Sequence, residues 1–146
     1  MSGPDVAYAV ALAKRNSEAL SFIPTPQLEN YAAKGQLLIQ TENDEPCGFL
    51  VYGAGFPVMR VYQSCIQFDA RRRENGMALV ARLVAVAERR QCQGISLWCA
   101  QDLEANAFWS AAGFQLIGRR EGGLRRGRIH NHWLLPVGPS LWGARS

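Results

Sequence analysis

The stretch from Val61 to Arg90 constrains the fold more than any other. Val61 to Phe68 is an apolar run suited to a strand. Asp69-Ala70-Arg71-Arg72-Arg73-Glu74-Asn75-Gly76 follows, short, basic and ending on a glycine. From Met77 to Arg90 the apolar residues Leu79, Leu83 and Val86 recur at helical spacing, with Val80, Val84 and Ala87 in a neighbouring row. A helix opening directly behind a strand aims several unpaired backbone N–H groups at one spot, and its dipole favours negative charge there. Gly76 has no Cβ, so a ligand can approach its backbone closely. With three arginines one turn away, the stretch reads as a cradle for a phosphate or pyrophosphate. An ordinary strand-to-helix connection with solvated arginines has the same local pattern, so the rest of the chain decides between them.

A chain of 146 residues, 48% of them hydrophobic, suits one domain with a proper core rather than a disordered segment. No run of about 18 apolar residues occurs, so no membrane span is expected. Met1-Ser2-Gly3-Pro4-Asp5 lacks the basic-then-apolar order of a secretory signal. Cys47, Cys65, Cys92 and Cys99 lack CxxC spacing, which favours buried reduced thiols over disulfides or zinc. The expectation is a cytoplasmic protein without a metal site. Charge is unevenly spread. Residues 1–59 carry three basic and six acidic groups, whereas residues 60–146 carry thirteen arginines against six acidic groups. The second part therefore suits a polyanion, either nucleic acid or a cofactor with several phosphates.

Taken in order, residues 5–20 suit an amphipathic helix, with Val6, Val10, Leu12, Ala13 and Leu20 between charged positions. Pro24 and Pro26 break it. Gln27 to Ala33 suits a second helix that ends near Gly35. Strands are expected over Gly35–Thr41 and Cys47–Gly53, joined by the polar turn Glu42–Pro46, and a third over Val58–Phe68. After the cradle and its helix come a strand at Gly94–Cys99 and a helix at Leu103–Ala112 capped by Gly113. Two more strands fall at Phe114–Arg120 and Arg128–Leu135. If the helix after the cradle is a crossover, the strands flanking it run parallel. The order predicts an α/β (α+β) fold with a mixed sheet and helices on both faces. It is expected to form one domain over residues 1–146, with a core over about 5–135 and an irregular tail over 136–146.

Arg73-x-x-Gly76-x-Ala78 resembles the Arg/Gln-x-x-Gly-x-Gly/Ala signature of the GCN5-related N-acetyltransferases, whose loop binds the pyrophosphate of acetyl-coenzyme A. Asp102-Leu103-Glu104-Ala105-Asn106-Ala107-Phe108-Trp109-Ser110-Ala111-Ala112-Gly113-Phe114 resembles the family's later motif, Asn-x-x-Ala-x-x-x-Tyr-x-x-x-Gly-Phe. Ala105, Gly113, Phe114 and an aromatic at Trp109 fall at matching positions. Two motifs in the right order, each on its expected element and separated by one strand, are hard to obtain by chance. The resemblance covers nearly the whole chain. It implies a mostly antiparallel sheet of six to seven strands and an acetyl transfer from acetyl-coenzyme A to a primary amine of a small molecule, protein or peptide. It also implies cofactor contacts at Ile66, Gln67, Phe68, Arg73, Glu74, Asn75, Gly76, Met77, Ala78 and Leu79, and on the later helix at Asn106 and Trp109.

Three departures matter. Phe68 and Ala70 stand where the family often has Val and Pro. Asp102 stands where Asn is frequent, so Asn106, one turn on, is expected to take over hydrogen bonding to the pantetheine arm. Trp109 replaces the tyrosine that often protonates the departing thiolate. An indole N–H only donates, so Trp109 is no general acid, though it can wall the cofactor channel. The acceptor amine must lose a proton, since a free alkyl amine has a pKa near ~10.4. Tyr62, Cys65, Cys99, Glu121 and His132 are candidate bases, and no catalytic residue is assigned. Phe22–Tyr31 and Glu121–Arg128 are where the family binds its acceptor, with Arg125, Arg126 and Arg128 suited to an anionic group. A cofactor-binding protein without catalysis is the main rival reading. A nucleic-acid module is the lesser one, because no helix-turn-helix or RNA-recognition signature occurs. No nucleic-acid or membrane partner is expected, and a homodimer is left open.

Overall fold

The computed structural model describes residues 3–17, 20, 23–67, 72–121 and 128–138, with Arg72 and Arg73 described by backbone alone. The order of elements is α1 (Pro4–Arg15), α2 (Thr25–Ala33), β1 (Leu37–Glu42), β2 (Glu45–Gly53), β3 (Val58–Ile66), α3 (Arg72–Arg89), β4 (Gly94–Ala100), α4 (Ala105–Ala111), β5 (Gln115–Glu121) and β6 (Ile129–Pro136). The six strands follow the hydrogen-bonded order β1-β2-β3-β4-β6-β5. The β3–β4 pair is parallel, while β1–β2, β4–β6 and β5–β6 are antiparallel. Among the described residues no helix is long and apolar enough to cross a membrane.

The chain divides into two compact units, one of residues 1–54 and 61–81, the other of residues 55–60 and 82–146. In the first, α1 and α2 bury Val6, Ala9, Leu12 and Leu28 against Phe49 and Val51 of β2. Phe49 and Val51 are fully buried, each worth about 1.5–3 kcal/mol of transfer from water. α1 has Asp5 in its first turn and Lys14 and Arg15 in its last, which suits the helix dipole. It stops at Arg15, short of the expected residue 20, because the Asn16 side chain donates to the Leu12 carbonyl (2.9 Å) and closes the last turn. The β1–β2 hairpin turns on Asn43 and Asp44 alone, at φ 54° and 67°. A two-residue turn with both centres left-handed matches the strand twist, and Asn and Asp tolerate it. Both strands therefore run closer to the tip than the polar run 42–46 suggests.

Gly48 of β2 is fixed by close approach. A Cβ there would collide with the Ile66 side chain and lie 2.8 Å from the Cys65 carbonyl oxygen, so no larger residue lets β3 pass.

In the second unit the β3–β4 ladder covers only Val58–Arg60 with Gly94–Ser96. Beyond its last paired residues β3 continues to Ile66 and β4 to Ala100. β4 pairs along its whole length with β6, from Gly94↔Pro136 to Ala100↔His130. α4 begins at Ala105 rather than Leu103, because the Asn106 side chain ties down the turn that precedes it. None of the four cysteines forms a disulfide. Residues 122–127 and 139–146, including Arg125, Arg126 and most of the expected tail, lie outside the described residues.

Candidate cofactor site

In the first unit the sequence-predicted cradle is helical earlier than its glycine suggests. α3 opens at Arg72, not Met77. Arg72, Arg73 and Glu74 are sound helix formers, and Glu74 lies in the first turn, where the dipole favours a carboxylate. The amides of Gly76, Met77 and Ala78 fall one turn on, opposite the carbonyls of Arg72, Arg73 and Glu74. The expectation that Gly76 opens the helix is corrected: it sits, buried, inside it.

Asn75 is the distinctive residue of that opening. It is 6% exposed, and its Oδ1 accepts from Gln40 Nε2 at 3.2 Å. Its Nδ2 is buried and, among the described residues, has no hydrogen-bond partner. An unmet buried amide donor is unfavourable by about 1–3 kcal/mol, and such groups are rare in folded proteins. Strand β3 leads towards this turn. Ile66 ends it, and the Gln67 N–H donates to the Cys47 carbonyl at 2.7 Å while its Oε1 accepts from the Tyr8 hydroxyl at 2.9 Å. Helix α1 is thereby pinned to the end of β3. Met77 is exposed, Ala78 half-buried, and Leu79 fully buried, so the Leu79 side chain belongs to the core rather than to a ligand surface. Phe68 lies outside the described residues, and Arg73 is placed only by its helix backbone.

Asn106 and Trp109 belong to the second unit. Asn106 Nδ2 donates to the carbonyls of Ala100 (2.8 Å), Gln101 (3.3 Å) and Leu103 (2.7 Å). Its Oδ1 accepts from Asn131 Nδ2 and Trp133 Nε1, each at 3.0 Å. Arg119 Nε in turn donates to Asn131 Oδ1 at 3.1 Å. Both polar side-chain atoms of Asn106 are thus engaged within the protein. These bonds close the β4–α4 turn, where Glu104 provides no side-chain cap. Trp109, 7% exposed, packs edge-on against Phe108 and Phe114, with centroids 5.0 and 5.2 Å apart. The Cys99 thiol is pushed up to about 11, first by burial, then lowered by Arg128 and raised by Asp102. It stays protonated at neutral pH and is no general base there. Arg128, expected at an acceptor, pairs with Asp102 at 3.3 Å.

Comparison with known proteins bears on the fold. No protein-family model and no curated protein sequence matches the chain. Solved structures do. Ard1 from Thermoplasma volcanium superposes with a TM-score of 0.80 at 15% identity, covering 94% of each chain. The ribosomal-protein-S18-alanine N-acetyltransferase from Escherichia coli gives 0.72 at 18% identity, over 100% of this chain and 96% of that one. N-acetylglutamate synthase from Neisseria gonorrhoeae, complexed with coenzyme A and N-acetyl-glutamate, gives 0.76 at 15% identity, over 94% of this chain and 34% of that one. The chain has the GCN5-related N-acetyltransferase fold.

Within the acetyltransferase fold, the first unit holds Ile66, Gln67 and Glu74 to Leu79, and the second holds Asn106 and Trp109. Sequence reasoning missed Gln40, which holds Asn75 from 35 residues away, and the Arg119–Asn131–Asn106 chain that fixes α4. Neither leaves a local signal, since each depends on which strands become neighbours. Among the described residues no group of His, Cys, Asp and Glu is placed to hold a metal ion.

Proposed function

We propose that the chain is an N-acetyltransferase that uses acetyl-coenzyme A to acetylate a primary amine of a small molecule, protein or peptide. The observation that carries this reading is the opening of α3. The positive end of its dipole and the buried Nδ2 of Asn75, which has no partner among the described residues, fall together in its first turns. That is the chemistry a diphosphate needs. The likeness in fold to acetyltransferases, including one complexed with coenzyme A, supports it. Within this reading Ile66, Gln67, Arg73, Glu74 and Asn75 bind the cofactor, with Arg73 supplying charge, and Gly76 and Ala78 keep the neighbouring helix surface small. Asn106 acts only by positioning α4, and Trp109 walls the channel without serving as an acid.

Acetyl-coenzyme A supplies a thioester carbonyl; the amine nitrogen forms the new C–N bond, the C–S bond breaks, and the amine proton leaves to a base. The chain's own part is to orient and desolvate. Backbone N–H groups late in β3 are suited to the carbonyl oxygen, where charge develops. Holding two reactants in line can lower the barrier by up to roughly 7–11 kcal/mol in ideal cases. No side chain is assigned as base. The reading is of a single-domain cytoplasmic protein without a nucleic-acid or membrane partner, compatible with a homodimer.

One observation favours a second reading, a protein that binds acetyl-coenzyme A without turnover. Trp109 sits among aromatic rings where the tyrosine acid often stands. An amine panel with a free-thiol readout separates the two. Thiol release from acetyl-coenzyme A on adding an amine is the expected result, whereas calorimetric binding with no release for any amine would favour the binder.

A further inference from the structure

Two side-chain amides of the first unit are held in the same way. Gln67 Oε1 accepts from the Tyr8 hydroxyl at 2.9 Å, and Asn75 Oδ1 accepts from Gln40 Nε2 at 3.2 Å. A primary amide has one carbonyl oxygen and two N–H donors. Pinning the oxygen fixes which way the amide turns, and the group left to offer a ligand is the NH2. For Asn75 that group is buried and, among the described residues, unmet. The backbone N–H of Gln67 is spent on the Cys47 carbonyl, so Gln67 meets a ligand as a donor through its side chain.

Both amides are anchored at one rung of the sheet. Gln40 of β1 is the register partner of Gly48 of β2, and Cys47, which accepts from Gln67, is the residue before Gly48. Gly48 has no side chain, and the end of β3 at Cys65 and Ile66 lies close against it. From this rung Gln40 reaches Asn75 in the first turns of α3, while Tyr8 reaches Gln67 from α1. All of these residues belong to the first unit. The opening of α3 carries the positive end of the helix dipole. Oriented neutral donors beside it suit a diphosphate, whose several oxygens only accept.

We infer that Tyr8 is a positioning residue for the diphosphate: its hydroxyl holds the Gln67 oxygen and so turns the Gln67 amide nitrogen towards the anion that Asn75 also meets. The inference rests on the cofactor reading of the α3 opening, and in it Tyr8 acts only through Gln67. The test is calorimetry of the full chain and its Tyr8→Phe, Gln67→Met and doubly substituted variants. Each is titrated with acetyl-coenzyme A and with S-acetylpantetheine, which has no diphosphate. Tyr8→Phe keeps the ring that packs on the α1–α2–β2 core and removes only the hydroxyl. It is expected to weaken acetyl-coenzyme A about fivefold and S-acetylpantetheine by less than about twofold. Gln67→Met is expected to weaken acetyl-coenzyme A about tenfold, and the double variant no further, since Tyr8 then has no amide to turn. A Tyr8 that serves the fold alone would move both ligands alike. That result, an unchanged acetyl-coenzyme A affinity in Tyr8→Phe, or losses that multiply in the double variant would overturn the inference. Should Tyr8→Phe not fold, Gln67→Met decides: a loss confined to acetyl-coenzyme A supports the inference, and equal losses for both ligands overturn it. If the unaltered chain does not associate with acetyl-coenzyme A, the cofactor reading falls and the inference with it. If the unaltered chain binds and Tyr8→Phe binds equally well, the inference falls alone.

Discussion

Two asparagines near helix openings behave in opposite ways. Asn106, in the first turn of α4, has both donors and its oxygen engaged by five partners of its own unit. Asn75, in the first turns of α3, has one bond to its oxygen and, among the described residues, no partner for its buried amide. Both come from motifs that suggest ligand contact. The hydrogen bonds separate a residue that completes the fold from one whose chemistry the fold leaves incomplete. A buried donor left unmet is destabilising unless something else repays it, which is the physical reason to look for a ligand at Asn75 and not at Asn106.

Removing each side chain breaks or sharpens this contrast. Asn106→Ala has the largest expected effect. It strands the amide of Asn131 and the indole N–H of Trp133 and releases three carbonyls, so unfolding by urea should show a loss of about 3 kcal/mol. A loss below ~1 kcal/mol would mean water replaces the network and the contrast fails. Asn75→Ala should do the reverse. Stability should change by less than about 1 kcal/mol, since an unmet donor goes along with the Gln40 bond. Acetyl-coenzyme A affinity by calorimetry should fall about tenfold, or ~1.4 kcal/mol. Gln40→Ala leaves Asn75 in place but unheld, and a roughly threefold loss of the same affinity is expected. The smallest effect is a titration. His132 has a lowered pKa, so the unfolded chain takes up the proton first as pH falls below about 6.5. That part of the stability is fully present above this value and declines through the window just beneath it. His132→Gln should flatten the decline, whereas Asn75→Ala should leave its slope unchanged.

Much of the fold is legible because local rules and global fold agree. The strand–helix–strand run through α3, the hairpin at Asn43-Asp44 and the Gly113 cap (φ 99°) all follow from periodicity and turn chemistry. The helix start was misread because Gly76 looks like a boundary, whereas a single glycine is tolerated inside a helix for about 1 kcal/mol. The network around Asn106 was not legible because Asn131 and Trp133 lie 25 and 27 residues away. The stacking of Arg120 and His132 on Trp98 was out of reach for the same reason. Trp98, Arg120 and His132 come together only once β6 is inserted between β4 and β5.

The central claim is that the first turn of α3, with Asn75, grips a diphosphate. Calorimetry with acetyl-coenzyme A and with S-acetylpantetheine, which keeps the thioester and arm but lacks the diphosphate, tests it directly. Acetyl-coenzyme A is expected to bind at least a hundredfold more tightly. Equal affinity for the two ligands, or no association of acetyl-coenzyme A, would contradict it.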